Sequence, residues 1–204
     1  MTRLHTATQT AIFVFLSLAF CLCFFLPAAS AGPDNATAQK YVWAKPIKAN
    51  GLPNFNKVSD DLYRGEQPTP EGIKGLKKFG IKTIVNLRAF HSDEDNLAGT
   101  GLAYESISFK TWHPEEEDMV KFLKIVTDTS RQPVFVHCQH GSDRTGTMCA
   151  LYRMAVQGWP ADEAIKEMKQ GGFGFHAVWQ NLEPFLRGLN IEELKAKAGI
   201  SKTK

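Results

Sequence analysis

Cys138 and Arg144 stand six positions apart, in the run His137-Cys138-Gln139-His140-Gly141-Ser142-Asp143-Arg144-Thr145-Gly146. An apolar run, Pro133 to Val136, leads in, and a helix-forming run, Gly146 to Tyr152, leads out. The pattern is strand, tight loop, helix N-terminus. Such a loop leaves backbone N–H groups without helical partners, and with the helix dipole these make an anion site. Successive amides curling around one centre form a nest for phosphate oxygens. Gly141, in mid-loop, relieves the steric limit on the positive φ that the curl requires. Arg144 offers a planar fork for two oxygens at once, which Lys does not copy. A cysteine beside Arg at a helix N-terminus is favoured as its thiolate, the form that attacks. Nucleophile, cation and amides together are suited to hold a phosphate dianion and attack its phosphorus.

These residues resemble the signature of the Cys-based protein tyrosine and dual-specificity phosphatases: His-Cys, five residues, then Arg-Ser/Thr. Cys138, Arg144 and Thr145 all match it. The likeness runs from about Val58 to Leu189. Leu62-Tyr63-Arg64-Gly65-Glu66-Gln67-Pro68 is similar to the opening of small bacterial dual-specificity-like phosphatases. Tyr152 to Trp159 and Gly171-Gly172-Phe173-Gly174 are similar to downstream segments of bacterial periplasmic tyrosine phosphatases. The resemblance implies a cysteinyl-phosphate formed at Cys138 and hydrolysed by water, with no metal and no cofactor. It implies that Gln139, His140, Gly141, Ser142, Asp143 and Arg144 bind the substrate, and that Thr145 eases departure of the sulfur. The expected substrate is a phosphorylated protein, carrying phosphotyrosine and also phosphoserine or phosphothreonine.

A bare Cys-x5-Arg spacing is weak. The adjacent His, the mid-loop Gly, the following Thr and the strand-then-helix context make it specific. A rhodanese-type sulfur carrier also places a cysteine at the head of an anion loop, but the Arg-Thr ending favours phosphate. Two other readings stay open: a phosphatase for inositol phosphates or another small phosphoester, and a phosphate-binding module without turnover.

Expelling an alkyl or aryl oxygen needs a proton donor, which related enzymes place on a mobile loop over the site. The candidate segment is Thr111-Trp112-His113-Pro114-Glu115-Glu116-Glu117-Asp118. Its Trp-x-Pro-acid order echoes the Trp-Pro-Asp loop of tyrosine phosphatases and nominates Glu115. Asp118 is the alternative, and a solvated helix start with no catalytic acid is the bland one. Asp93 and Asp95 are weaker candidates. His137 is expected to orient the loop. Asp143 is expected to face the substrate, where an acid repels a polyanion and so favours a single phosphate. Arg88 reads as a surface ion pair or a substrate contact, and His176 has no assigned role.

The elements that must position these groups alternate. Leu62 to Arg64 reads as a strand. Thr69-Pro70 starts a helix, with Thr as N-cap and Pro at the first helical position; it turns Ile73, Leu76 and Phe79 inward and stops at Gly80. Residues 81–87 form a β-branched strand and 91–101 an acidic loop. Residues 103–109 form another strand, and 115–128 a helix with Met119, Phe122, Leu123 and Val126 on one face. Strand 133–137 precedes the phosphate loop, and the helix after it buries Met148, Leu151 and Ala155. Pro160 opens a helix that ends at Gly171-Gly172, and Val178 to Leu189 makes one more amphipathic helix. The class is α/β: a mainly parallel central sheet flanked by helices on both faces. The active loop falls at the carboxyl end of its strand, where ligands bind in such sheets.

The chain has 204 residues and a formal charge of +3. Residues 1–31 read as a secretory signal peptide: Arg3, an apolar run from Ile12 to Leu26, then Ala29-Ser30-Ala31. The run is short for a membrane span, and an uncleaved anchor is the alternative. Cleavage places the protein in the periplasm or outside the cell. Residues 32–56 form a polar N-terminal extension, read as loosely packed, and 57–204 the catalytic domain. The small charge implies no nucleic-acid surface, and a monomer is expected. Past residue 31 only Cys138 and Cys149 remain, so disulfides do not staple the fold; Cys149 is core or a redox partner of Cys138.

Overall fold

The computed structural model describes residues 41–200. The expected signal peptide and the first part of the 32–56 extension lie outside the described residues. Within them run β1 (Lys45–Pro46), β2 (Asn56–Lys57), β3 (Leu62–Gly65), α1 (Pro70–Lys78), β4 (Thr83–Asn86), α2 (Glu94–Leu97), β5 (Ala103–Ser106), α3 (Glu116–Thr127), β6 (Val134–His137), α4 (Asp143–Ala155), α5 (Ala161–Gln170), α6 (Leu182–Gly188) and α7 (Ile191–Ala198).

The six strands form one sheet in the order β1-β2-β3-β6-β4-β5. β3, β6, β4 and β5 run parallel to one another, while β1 pairs β2 and β2 pairs β3 antiparallel. The sheet is therefore mixed, which corrects the mainly parallel expectation at one edge. Antiparallel neighbours need only a short turn, whereas each parallel pair needs a crossover, and the linkers before β2 and β3 are too short for one. The stretch read as a loose tail also differs from expectation where it is described. Leu52 and Phe55 are buried, and the Ala44 amide donates to Glu167 Oε1 at 2.6 Å.

β6 is central, and alternation along it divides the core. Phe135 joins Ile84 of β4, Ile73 and Leu76 of α1 and Leu97 of α2 on one face. Val134 and Val136 join residues of α3, α4, α6 and α7 on the other. α5 forms an outer layer, packing Ala164, Ile165 and Met168 on Ala150 and Met154 of α4. α1 begins as expected, with the Thr69 hydroxyl capping the Gly72 amide. The last expected helix starts later than its pattern suggested, at Leu182, leaving Val178 exposed before it. α7 and α2 follow no strong sequence period and were not expected.

Register sets the site. Gly65 of β3 and Asn86 of β4 lie level with His137, the last residue of β6, and Ser106 of β5 lies level with Asn86. The loops that leave these four strand ends therefore share one edge of the sheet.

Candidate active site

The loop from Cys138 to Ser142 leaves β6 and enters α4 at its first turn. α4 is buried all round: Arg144 is its one residue that is not buried. The helix thus shows the solvent a single guanidinium, beside its positive end.

Each carbonyl of the loop has a partner outside it. Cys138 O lies 3.4 Å from the His137 ring Nδ1. Gln139 O accepts from the Gln67 amide at 3.4 Å. His140 O accepts from Asn54 Nδ2 at 3.0 Å and from the Ser142 hydroxyl at 3.2 Å. Gly141 O accepts from Arg64 Nη2 at 2.7 Å. A trans peptide is planar, so each N–H points opposite to the carbonyl before it. The amides of Gln139, His140, Gly141 and Ser142 are thereby turned away from these partners, toward the hollow of the loop, where a phosphate fits.

Gly141 is required twice over. Its φ is +68°, and a Cβ there would stand 2.5 Å from the carbonyl carbon and oxygen of Gly65. Arg64 is almost fully buried and lays its guanidinium 3.8 Å over the Phe173 ring. Asn54 and Ser142 both reach Phe173 O, at 2.9 Å, so the Gly171–His176 turn is bound to the back of the loop.

Of the expected substrate contacts, Gln139 and His140 are exposed at the mouth. Ser142 contributes its backbone, since its hydroxyl is bonded to Phe173. Asp143 is 7% exposed, and its carboxylate is bound to the Gly171–His176 turn: Oδ1 accepts from the His176 amide and Oδ2 meets His176 Nδ1, each at 2.8 Å. His176 thereby acquires a place, with its ring 5.6 Å from that of His140. Thr145 Oγ1 is buried without a hydrogen-bond partner, a costly state that a sulfur or oxygen beside it relieves.

The two nominated acids lie on the segment after β5, at the same sheet edge. Thr111 O is held by Asn181 Nδ2 at 2.6 Å. Glu115 is exposed and sits 3.5 Å from His113 Nε2. Asp118 is half-buried in the first turn of α3, and burial, then the Glu115 charge, hold its carboxyl above the usual range. Among the described residues neither carboxylate hydrogen-bonds to the 138–144 loop. Asp95 is exposed. Asp93, in contrast, is fully buried beside His137, and Arg88 is half-buried and bonded to Gln67 Oε1 at 3.1 Å. Arg64, Gln67, Asn54 and Phe173 carry no role in the sequence reading. Their partners in the site lie 21 to 119 residues away, so no local spacing marks them.

This fold and loop define a Cys-based phosphatase of the dual-specificity type. The family model described as "DSP-PTPase phosphatase fused to NAD+ Kinase" matches residues 46–182, two thirds of the chain, and the chain belongs to that family. It is 29% identical over 166 residues to the dual specificity protein phosphatase TpbA of Pseudomonas aeruginosa, covering 79% of this chain and 73% of that protein. It is 30% identical over 125 residues to the inositol diphosphatase DSP3 of Arabidopsis thaliana, covering 57% and 61%. The crystal structure of a P. aeruginosa TpbA variant in complex with pTyr aligns with a TM-score of 0.68 and 26% identity, covering 78% and 97%.

Proposed function

We propose that this chain is an exported protein phosphatase that hydrolyses phosphotyrosine, and phosphoserine or phosphothreonine beside it, through a cysteinyl-phosphate at Cys138. The observation that carries this is the loop itself: amides turned inward, Cys138 at its head and the half-exposed Arg144 at its end. The Cys138 sulfur attacks phosphorus, an S–P bond forms, and the P–O bond to the leaving group breaks as that oxygen takes a proton. Water then attacks the same phosphorus, the S–P bond breaks, and Thr145 donates to the departing thiolate. Arg144 and the amides bind the equatorial oxygens, whose charge they are placed to stabilise. No metal is needed in this scheme.

The proton donor is assigned to the segment after β5. Asp118 suits the role better than Glu115, because half-burial beside a like charge favours its protonated form. Phosphotyrosine is supported by the TpbA complex with pTyr and by two exposed rings at this edge. Phe90 is 94% exposed after β4, and Trp112 is 63% exposed after β5. The second reading, an inositol phosphate or small phosphoester, gains from Asp143, whose carboxylate oxygens are engaged by the His176 amide and ring. Export rests on the leader pattern of residues 1–31 and cleavage after Ala31, with an uncleaved membrane anchor as alternative; a monomer is the proposed state.

The test is turnover of para-nitrophenyl phosphate near pH 6 with EDTA present, beside Cys138→Ser and Arg144→Lys. Turnover is expected in the parent, none in Cys138→Ser, and a loss of about a hundredfold or more in kcat for Arg144→Lys. Phosphate binding without turnover in the parent refutes the enzyme reading in favour of a binding module. Relative kcat/KM for a phosphotyrosine peptide and an inositol phosphate then ranks the substrates.

A further inference from the structure

The arginines of the described residues divide by partner. Arg131 pairs with Glu105 and Asp128, Arg153 with Glu167, and Arg187 with Asp162 and Glu183. Arg64, Arg88 and Arg144 pair with no carboxylate among the described residues, and all three belong to the sheet edge that carries the phosphate loop. Arg64 is engaged by Gly141 O and the Phe173 ring, and Arg144 ends the loop. Arg88 is the one whose charge has no use in the scheme above.

Arg88 stands where the chain leaves β4. The Leu87 amide donates to His137 O at 2.9 Å, so the residues after β4 run beside the start of the loop. The Arg88 amide donates to Asn86 Oδ1 at 2.8 Å, which fixes the turn. Its half-buried guanidinium makes one hydrogen bond among the described residues, from Nη1 to Gln67 Oε1 at 3.1 Å. Gln67 is fixed in turn: Nε2 donates to Asp93 Oδ1 at 2.5 Å, and the backbone amide donates to Gln139 O. The side-chain amide of Gln67 thus bridges Arg88 and Asp93, and the Asp93 carboxylate is taken by His91 and His137. Most donors of the Arg88 fork are left without a protein acceptor, at a half-buried place where a charge is ordinarily paired. A carboxylate from outside the chain matches that fork. The same turn carries Phe90, whose φ of +63° is uncommon for a large side chain and whose ring is exposed. A strained turn that offers a guanidinium and a bare ring beside the loop suits the part of a substrate next to its phosphoryl group.

We propose that Arg88 is a specificity-determining residue: it binds the carboxylate of an Asp or Glu adjacent to the phosphotyrosine, so the substrate is an acidic phosphotyrosine segment of a protein. The proposal deepens, and rests on, the reading of the loop as a phosphotyrosine site. Arg144 and the loop amides take the phosphoryl group from the α4 side, and Arg88 takes the second anion from the β4 side.

The experiment uses the full chain and two phosphotyrosine peptides, with Glu or with Ala on both sides of the phosphotyrosine. Binding is measured by calorimetry in a Cys138→Ser background, which needs no turnover. The Glu peptide is expected to bind about fivefold more tightly, the upper end for a partly exposed ion pair. Arg88→Met is expected to bring that ratio to about one and Arg88→Lys to keep part of it; damage to the fold alone would weaken both peptides equally and leave the ratio. A ratio of one before Arg88 is changed, or a ratio unchanged in Arg88→Met, overturns the proposal. Should Arg88→Met fail to fold, phenylglyoxal labelling of Arg88, read by peptide mass at equal occupancy of the two peptides, decides. Stronger protection by the Glu peptide supports the proposal, and equal protection refutes it. Failure of both peptides to bind refutes the phosphotyrosine reading and this proposal together. A Glu preference in a chain that, with Cys138 intact, hydrolyses neither peptide refutes the enzyme reading and leaves the role of Arg88 standing.

Discussion

A carboxyl that is half-buried beside another carboxylate keeps its proton to higher pH than an exposed one, and this separates Asp118 from Glu115. Below its raised pKa, Asp118 carries the proton that a leaving oxygen needs; as pH rises through that value the proton is lost. Turnover of phosphoserine or phosphotyrosine peptides is therefore expected to decline on the basic side. Asp118→Asn is expected to abolish that decline and to lower kcat on these substrates by about a hundredfold or more. Para-nitrophenyl phosphate, whose leaving group scarcely needs the acid, is affected far less. If Glu115→Gln shows this pattern instead, the donor is Glu115. The two cysteines, both buried, differ in place: Cys138 heads the phosphate loop and Cys149 lies within α4. Burial pushes the Cys149 thiol up to about 11, so at pH 8 it is almost wholly protonated and unreactive. Peptide mass after brief alkylation at that pH is expected to show modification at Cys138 and none at Cys149 until the protein is unfolded. That outcome would make Cys149 a core residue and not a redox partner.

At the scale of elements, the loop between β6 and α4 is shaped less by its own residues than by what clasps it. Gly141 presses on the end of β3, so Gly141→Ala meets both a forbidden φ and the Gly65 backbone. Gly172 also has a positive φ, +81°, but open space around it. Gly172→Ala is expected to cost only about 1 kcal/mol of stability, with phosphate affinity retained. Gly141→Ala is expected to lose phosphate or vanadate binding measured by calorimetry, even where the melting temperature falls only a few degrees. Equal effects at both sites would mean that strain, and not the seating of the loop on β3, is what matters at Gly141.

Across the whole molecule, one buried pair ties the layers together. The Arg153 guanidinium on α4 bonds both oxygens of Glu167 on α5, each at 2.7 Å, and donates to Val58 O beyond β2. Trp159 lies over the guanidinium at 4.2 Å, and Glu167 also holds the Ala44 amide. Removing one partner of a buried pair costs about 3–5 kcal/mol. Glu167→Ala is expected to lower Tm by about 10 °C and to speed proteolysis in the segment before β1, as read by mass spectrometry. A Tm shift without faster cleavage there would show that the segment is held by its other contacts.

The alternation of apolar runs, the Thr69-Pro70 start and the glycine stops placed most elements from sequence, because period and capping are local properties. The nucleophile and the cation were legible for the same reason: a loop of fixed length between strand and helix needs them at a fixed spacing. The two-residue strands β1 and β2 were not legible, since their pairing comes from tertiary neighbours and not from propensity. Nor was the use of each polar side chain. Asp143 and Asp93 look alike in sequence, yet one is bound to His176, 33 residues on, and the other to His137 across the sheet edge. Only the fold brings those partners together, and a buried charge is defined by its partner. The amino-acid sequence by itself determined the chemistry at Cys138 and Arg144; the tertiary structure decided which groups aim, neutralise and support them.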